Sequence, residues 1–250
     1  MHEYPPFDSR RRVFLGLAAS GAALGLLAAN LTRAVAADAP VRIATIGAGR
    51  EGGALGTLFA KAGHPVMFSS RHPEDLKELV AKVGPNAKAG TVAEAVAFGD
   101  VVLLVVPYGA IEQIGRDYGK ELAAKPLVID VSNPSVRREG EAFLKEVAQQ
   151  GGAGLLTQKM LPGARLVRAF NAIGASKLAD NLHAQGEAVG VPIAGDDPDA
   201  IALATRLIKE IGFEPVLVGG LAKGKYLVPG TPLGGIHTAA EIRKIAAGLE

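Results

Sequence analysis

The chain has 250 residues, 48% hydrophobic and 21% charged, with 32 glycines, 15 prolines and a formal net charge of +2. That is the profile of a globular protein rich in turns. Cysteine is absent, which excludes disulfides, zinc-thiolate sites and thiol catalysis.

The first expected element is a leader. Arg11-Arg12-Val13-Phe14-Leu15 sets a twin arginine before a weakly apolar Gly/Ala-rich run over 15–29, and Ala34-Val35-Ala36 supplies a small-x-small cleavage pattern. We therefore read residues 1–36 as a cleaved twin-arginine signal peptide, with a periplasmic destination and no stable membrane insertion afterwards. Four arginines and two carboxylates lie in that stretch, so the remainder is neutral. The pI of 8.8 partly reflects the leader, and nothing electrostatic points to a nucleic acid or membrane surface as partner. Arg137-Arg138 and Lys223-Gly224-Lys225 read as solvated surface.

From residue 41 onward, short β-rich runs alternate with Ala-rich helical stretches, as in a mostly parallel sheet covered by helices on both faces. Strands are predicted at 41–46, 66–69, 101–106, 127–131, 166–170, 191–194 and 214–218. Helices are predicted at 52–62, 75–83, 111–123 and 198–211, with one or two more within 137–163. Several strand candidates are continuous apolar runs, as strands buried on both faces require. Residues 219–250 read as a short extension, a Gly/Pro-rich loop closed by a helix from about Ile236, and 41–250 as a single domain.

The most specific motif joins the first strand to the first helix. Gly47-Ala48-Gly49-Arg50-Glu51-Gly52 matches G-x-G-x-x-G with a strand before it and a helix after it. In such a turn Gly47 permits the tight bend, Gly49 lets a pyrophosphate approach the backbone, and Gly52 allows close packing of helix on strand. NAD-selective versions carry an Asp or Glu at the end of the second strand for the ribose 2′-hydroxyl. Here that place reads Phe68-Ser69-Ser70-Arg71. A hydroxyl and a guanidinium suit a 2′-phosphate, so the expected cofactor is NADP(H).

Elsewhere the residues point to no catalytic constellation and no metal site. His64, His72, His183 and His237 read as surface or packing histidines, and Asp196-Asp197-Pro198-Asp199 as a helix N-cap. Asn133 and Asn171 close strands at the expected binding edge, where they either contact a ligand or form turns.

Taken together, the Gly-rich turn, Ser70-Arg71, Val105-Val106-Pro107-Tyr108, the run from Val128 to Pro134, the run from Arg168 to Ala175 and Ala194-Gly195-Asp196-Asp197 resemble the F420H2:NADP oxidoreductase family. The resemblance implies a compact Rossmann-like, doubly wound fold in which hydride passes directly between NADPH and a deazaflavin, coenzyme F420. It implies that Gly49, Arg50, Glu51, Ser70 and Arg71 hold the adenine-side phosphates and ribose, that Val106 and Pro107 lie under the nicotinamide ribose, and that Ala175 lies near the ring. Such a transfer depends on proximity and orientation and needs no side-chain acid or nucleophile. The chain departs from the family over residues 225–233, which puts the acceptor side in question, and in its export signal. Competing readings are a metalloreductase-type NADPH:flavin reductase using FMN, a two-domain dehydrogenase or imine reductase, and a non-catalytic NADP-binding sensor. A homodimer is compatible with the sequence.

Overall fold

A computed structural model describes residues 40–179, 183, 184 and 186–249. The twin-arginine segment and its cleavage pattern lie outside the described residues, as does the side chain of His183.

The core of the molecule is a twisted sheet. β1 (Ile43–Ile46) pairs in parallel with β2 (Val66–Ser69) on one side and β4 (Val101–Leu104) on the other. β3 (Ala87–Gly90) extends the sheet beyond β2, while β5 (Leu127–Asp130) and β6 (Leu166–Arg168) extend it beyond β4, all parallel. β8 (Glu187–Gly195) then runs antiparallel to β6 and carries β9 (Glu214–Gly219) parallel to itself. Two short strands, β7 (His183–Ala184) and β10 (His237–Thr238), pair antiparallel with β8.

The central strands β1, β4 and β5 are buried on both faces, and alternate residues serve two cores. Ile43, Val101, Leu103 and Ile129 pack beneath α1 (Arg50–Lys61) and α8 (Pro198–Glu210). Ala44, Val102, Leu104 and Val128 pack on the other face, beneath α3 (Val92–Phe98), α4 (Ile111–Ala123) and α6 (Ala153–Met160). The remaining helices are α2 (Lys77–Val83), α5 (Val136–Gln149) and α7 (Ala175–Ala179). The fold is Rossmann-like: a doubly wound, mostly parallel sheet with helices on both faces.

Several elements differ from expectation. β3 and α3 had not been predicted, because Ala-Lys-Ala-Gly lacks the β-branched residues that mark a strand. The fourth strand ends at Leu104 rather than Val106: Val105 N–H still donates to the Ile46 carbonyl at 2.9 Å, but residues 105–107 are no longer paired as strand. Residues 73–76 form a 3-10 turn ahead of α2. The stretch 137–163 holds two helices, the first broken where Gly140 adopts φ 84°. β8 is longer than the predicted 191–194 and reverses direction relative to β6.

The C-terminal extension is part of the sheet. Residues 237–238 pair with β8, so the closing helix α9 (Ala239–Ala246) starts at Ala239 rather than near Ile236. Leu227, Leu233 and Ile242 are fully buried in a third cluster with Ala194 and Val216. α9 is held at its start by a capping box: Glu241 N–H donates to Thr238 Oγ1 at 3.2 Å, and Thr238 N–H to Glu241 Oε2 at 2.8 Å. Replacing Thr238 by Ala is expected to lower unfolding stability by about 1 kcal/mol, read as a lower urea midpoint at unchanged slope.

Of the histidines, His64 is a packing residue. Its Nδ1 accepts from Val41 N–H at 3.1 Å, which places the proton on Nε2, 2.8 Å from Glu210 Oε2. Asp197 caps α8, accepting from Ala200 N–H at 2.8 Å. Among the described residues no helix is long and apolar enough to cross a membrane.

Candidate dinucleotide-binding site

The sheet order reverses at β1, with β4 on one side and β2 on the other, and ligands of open α/β sheets bind at the carboxyl ends of strands flanking such a switch. A cleft of about 940 Å³ opens there. Gly47, Gly49, Arg50, Glu51, Gly52, Ser70, Arg71, Val106, Pro107, Asn133 and Ala175 all line it. So do several residues that had not been singled out, among them Arg138, Ser132, Phe170 and Ser176. Arg138 therefore belongs to the cleft rather than to featureless solvated surface. A bare Arg-Arg doublet carries no signal that could have distinguished the two.

The turn is built as its glycines require. Gly47 sits at φ +96°, and a Cβ there would lie 2.3 Å from the Val105 carbonyl oxygen. At Gly52 a Cβ would lie 1.9 Å from the Gly47 carbonyl oxygen, while at Gly49 it would meet nothing within 4 Å. The first two are needed for the turn itself, whereas Gly49 leaves open space in front of the backbone. α1 begins one residue later, at Arg50, and Gly49 as N-cap offers no side-chain bond to the first-turn N–H groups. Those groups and the helix dipole favour an anion at this point.

At the end of β2, Ser69 Oγ is tied to the Thr45 carbonyl at 2.6 Å, whereas Ser70 and the exposed Arg71 face the cleft. Ser70 Oγ accepts from His72 N–H at 3.1 Å, which fixes the loop between them. Arg50, Arg71 and Arg138 make the lining cationic, and Glu51 is its single acidic side chain.

The floor of the cleft rests on a buried polar network. Asp130 ends β5 and Arg168 ends β6, both fully buried, with Arg168 Nη1 2.5 Å from Asp130 Oδ2. Arg168 Nη2 also donates to the Ser132 carbonyl at 3.1 Å and to Asn133 Oδ1 at 3.2 Å. The Thr157 hydroxyl lies 2.9 Å from Asp130 Oδ2 and 3.1 Å from the Tyr108 hydroxyl, which donates to the Ala153 carbonyl at 2.7 Å. Burial pushes the Tyr108 phenol up to about 12. Room for the Arg168 side chain comes from Gly224, where a Cβ would lie 2.6 Å from Arg168 Cδ. Gly224 of Lys223-Gly224-Lys225 is thus buried, although its lysine neighbours suggest plain surface.

This network aims two asparagines. Asn133 Nδ2 donates to the Asn171 carbonyl at 2.7 Å, and Asn171 Nδ2 to the Asp130 and Ser132 carbonyls at 3.1 and 3.3 Å. Phe170, just before Asn171, has φ 64°, the single positive φ of a non-glycine among the described residues. Strain of this kind persists where surrounding structure imposes it, and it clusters at binding sites. The consequence is that Asn171 Oδ1 is buried with no partner while its residue lines the cleft. Glu51 Oε2 is likewise buried without one, in another residue that lines the cleft. Two orphan acceptors, a cationic lining, an uncapped helix start and open space at Gly49 fit a dinucleotide carrying phosphates and N–H donors.

Glu51 stands in the Gly-rich turn, at the second position of α1. Its carboxyl accepts from the Ala175 N–H, at the start of α7 beyond β6, and burial raises its pKa to about 6. Ser70 and Arg71 follow β2, with β1, β4 and β5 between the two positions. The carboxyl is thus directed to the α7 side of the cleft. Residues 225–233 are not among those lining the cleft; Tyr226, Leu227 and Leu233 pack into the third core instead.

The chain is 28% identical over 207 residues to the F420-dependent NADP reductase of Methanothermobacter thermautotrophicus, covering 77% of this chain and 87% of that protein. It is 23% identical over 205 residues to a glycerol-3-phosphate dehydrogenase (NAD(P)+) of Staphylococcus epidermidis, where it covers 69% of this chain and spans 62% of the relative. Among solved structures, a hypothetical protein of Sinorhizobium meliloti superposes with a TM-score of 0.63 at 26% identity, covering 78% of this chain and 93% of that one. Residues 42–134, which run from the start of β1 to the loop after β5 and so hold most of the cleft, match the family described as NADP oxidoreductase coenzyme F420-dependent.

Proposed function

We propose that this protein is an NADP(H)-dependent oxidoreductase that passes hydride between NADPH and a deazaflavin of the coenzyme F420 type or a flavin-like acceptor. The observation that carries the reading is the pair Ser70-Arg71 facing the cleft at the end of β2, where an NAD-selective site would place a carboxylate. The family match over residues 42–134 and the reductase relative support it. A bound reduced nicotinamide supplies the hydride. The chain's own contribution is to hold two rings in register and keep water out, which suffices for such a transfer.

In this reading the N–H groups after Gly49 and the guanidinium of Arg50 take the pyrophosphate, and Ser70 and Arg71 take the 2′-phosphate. Val106, Pro107, Asn133 and Ala175 border the nicotinamide half. Asn171 Oδ1 accepts from the carboxamide, the amide group able to relieve that orphan oxygen. The proposal extends to location: the twin-arginine segment sends the protein, folded, to the periplasm, with the dinucleotide already bound.

The test is anaerobic mixing of purified protein with NADPH and either oxidised F420 or FMN. Reduction of the deazaflavin in step with loss of NADPH absorbance is expected. Tight NADPH binding with no turnover on either acceptor overturns the oxidoreductase reading and favours the sensor. That second reading draws on the absence of residues 225–233 from the cleft lining.

A further inference from the structure

Glu51 is out of place in a cleft otherwise lined by Arg50, Arg71 and Arg138. It occupies the second position of α1, in the turn where dinucleotide phosphates are expected, and a carboxylate there opposes their charge. Its carboxyl accepts from the Ala175 N–H, while Oε2 is buried with no partner in a residue that lines the cleft. A buried ionised oxygen without a donor is costly, and protonation is the simplest way to relieve it. The other charged side chains of the lining are Arg50 on its own helix, Arg71 after β2 and Arg138 on α5, while α7, which packs against α1, carries the exposed Lys177. Of these, Arg50 acts on it directly and favours the ionised form. Phosphates bound to the turn would occupy Arg50 and add negative charge beside Glu51, so both effects favour protonation.

We propose that Glu51 is a proton-binding positioning residue: it is ionised in the free protein at neutral pH and takes up a proton when the dinucleotide occupies the turn, its Oε2–H then donating to the ligand. The inference rests on the reading of the cleft as a dinucleotide site and adds to it a coupling between occupancy and pH. Burial pushes the free carboxyl up to about 6, and because bound phosphates push it further up, affinity must fall as pH rises. Below that pH the acid is already formed and affinity is flat. Above it each binding event takes a proton from solvent, and affinity falls until the bound-state pKa is passed.

The test compares NADPH binding to the full chain and to Glu51→Gln, which keeps the shape and the Ala175 contact but cannot ionise. Between pH 6 and pH 8 the wild type is expected to lose about tenfold more affinity than the variant, a full unit of linkage. The ligand's own 2′-phosphate titrates nearby and cancels in that difference. Calorimetry in buffers of differing ionisation enthalpy is expected to show uptake of about half a proton or more by the wild type near pH 7 and less by the variant. A carbon NMR titration of the wild-type Glu51 carboxyl gives an answer that does not depend on the variant folding, and its pKa is expected to rise when NADPH is added. Equal pH slopes in the two proteins, or a Glu51 pKa that falls on binding, overturn the proposal. Absence of NADPH binding at every pH would instead remove the dinucleotide reading on which it rests.

Discussion

Asp130→Ala is expected to destabilise the protein by about 3–5 kcal/mol, because it strips the counter-charge from a guanidinium with no access to solvent. Against a typical net stability of about 5–15 kcal/mol, that is a loss of a third or more for many proteins. A buried pair need not itself be a large source of stability, since its attraction is offset by the cost of removing two ions from water. The cost appears when one ion is left alone. In Asp130→Ala, Arg168 would keep only the Ser132 carbonyl and Asn133 Oδ1. The double replacement Asp130→Leu with Arg168→Met removes both charges at similar volume and is expected to regain much of the loss. Urea denaturation of the three proteins measures this, and a single-variant loss below about 1 kcal/mol would show that water reaches Arg168. The same substitution also reaches the cleft, because Arg168 orients Asn133 and the β5 end orients Asn171. Any folded Asp130→Ala protein should therefore bind NADPH more weakly as well.

Arg71→Ala is expected to weaken NADPH binding by about 1.5–3 kcal/mol, or about 10- to 150-fold, the usual worth of a hydrogen bond to a charged group. NADH binding should barely change, because NADH has no phosphate at the position Arg71 faces. Arg71 is exposed and forms no ion pair among the described residues, so its removal should leave the fold intact. The measurement is a pair of dissociation constants, one per cofactor, for both proteins. Equal losses for NADPH and NADH would sink the NADP assignment and return Arg71 to the role of a loop residue. The effect should also shrink at high salt, because the site is open to solvent.

Much of the cleft was legible in the order of residues because its parts are local. The strand, turn and helix from Ile43 to Lys61 follow one another along the chain, Gly47 is needed for its positive φ, and Gly52 answers to Gly47 five residues before it. Ser70-Arg71 was legible for the same reason, standing at the end of the next strand. The α3 helix could also have been found, since Thr91-Val92-Ala93-Glu94 spells the capping box that the structure forms. β3 had no such mark, being a four-residue strand with two exposed positions.

What the sequence by itself determined was the alternation of buried strands with amphipathic helices, the phosphate turn, and the absence of a carboxylate after β2. These are properties of adjacent residues, and hydrophobic period and backbone sterics act at that range. Only the tertiary structure decided that Asp130 and Arg168, 38 residues apart, share one buried pocket beneath the cleft. Only it decided that Gly224 makes room for that pocket, that residues 237–238 join the sheet, and that Glu51 turns toward Ala175. Each of these depends on which distant groups meet once the sheet is assembled. A buried charge or an orphan oxygen has no signature in the chain until its surroundings exclude water.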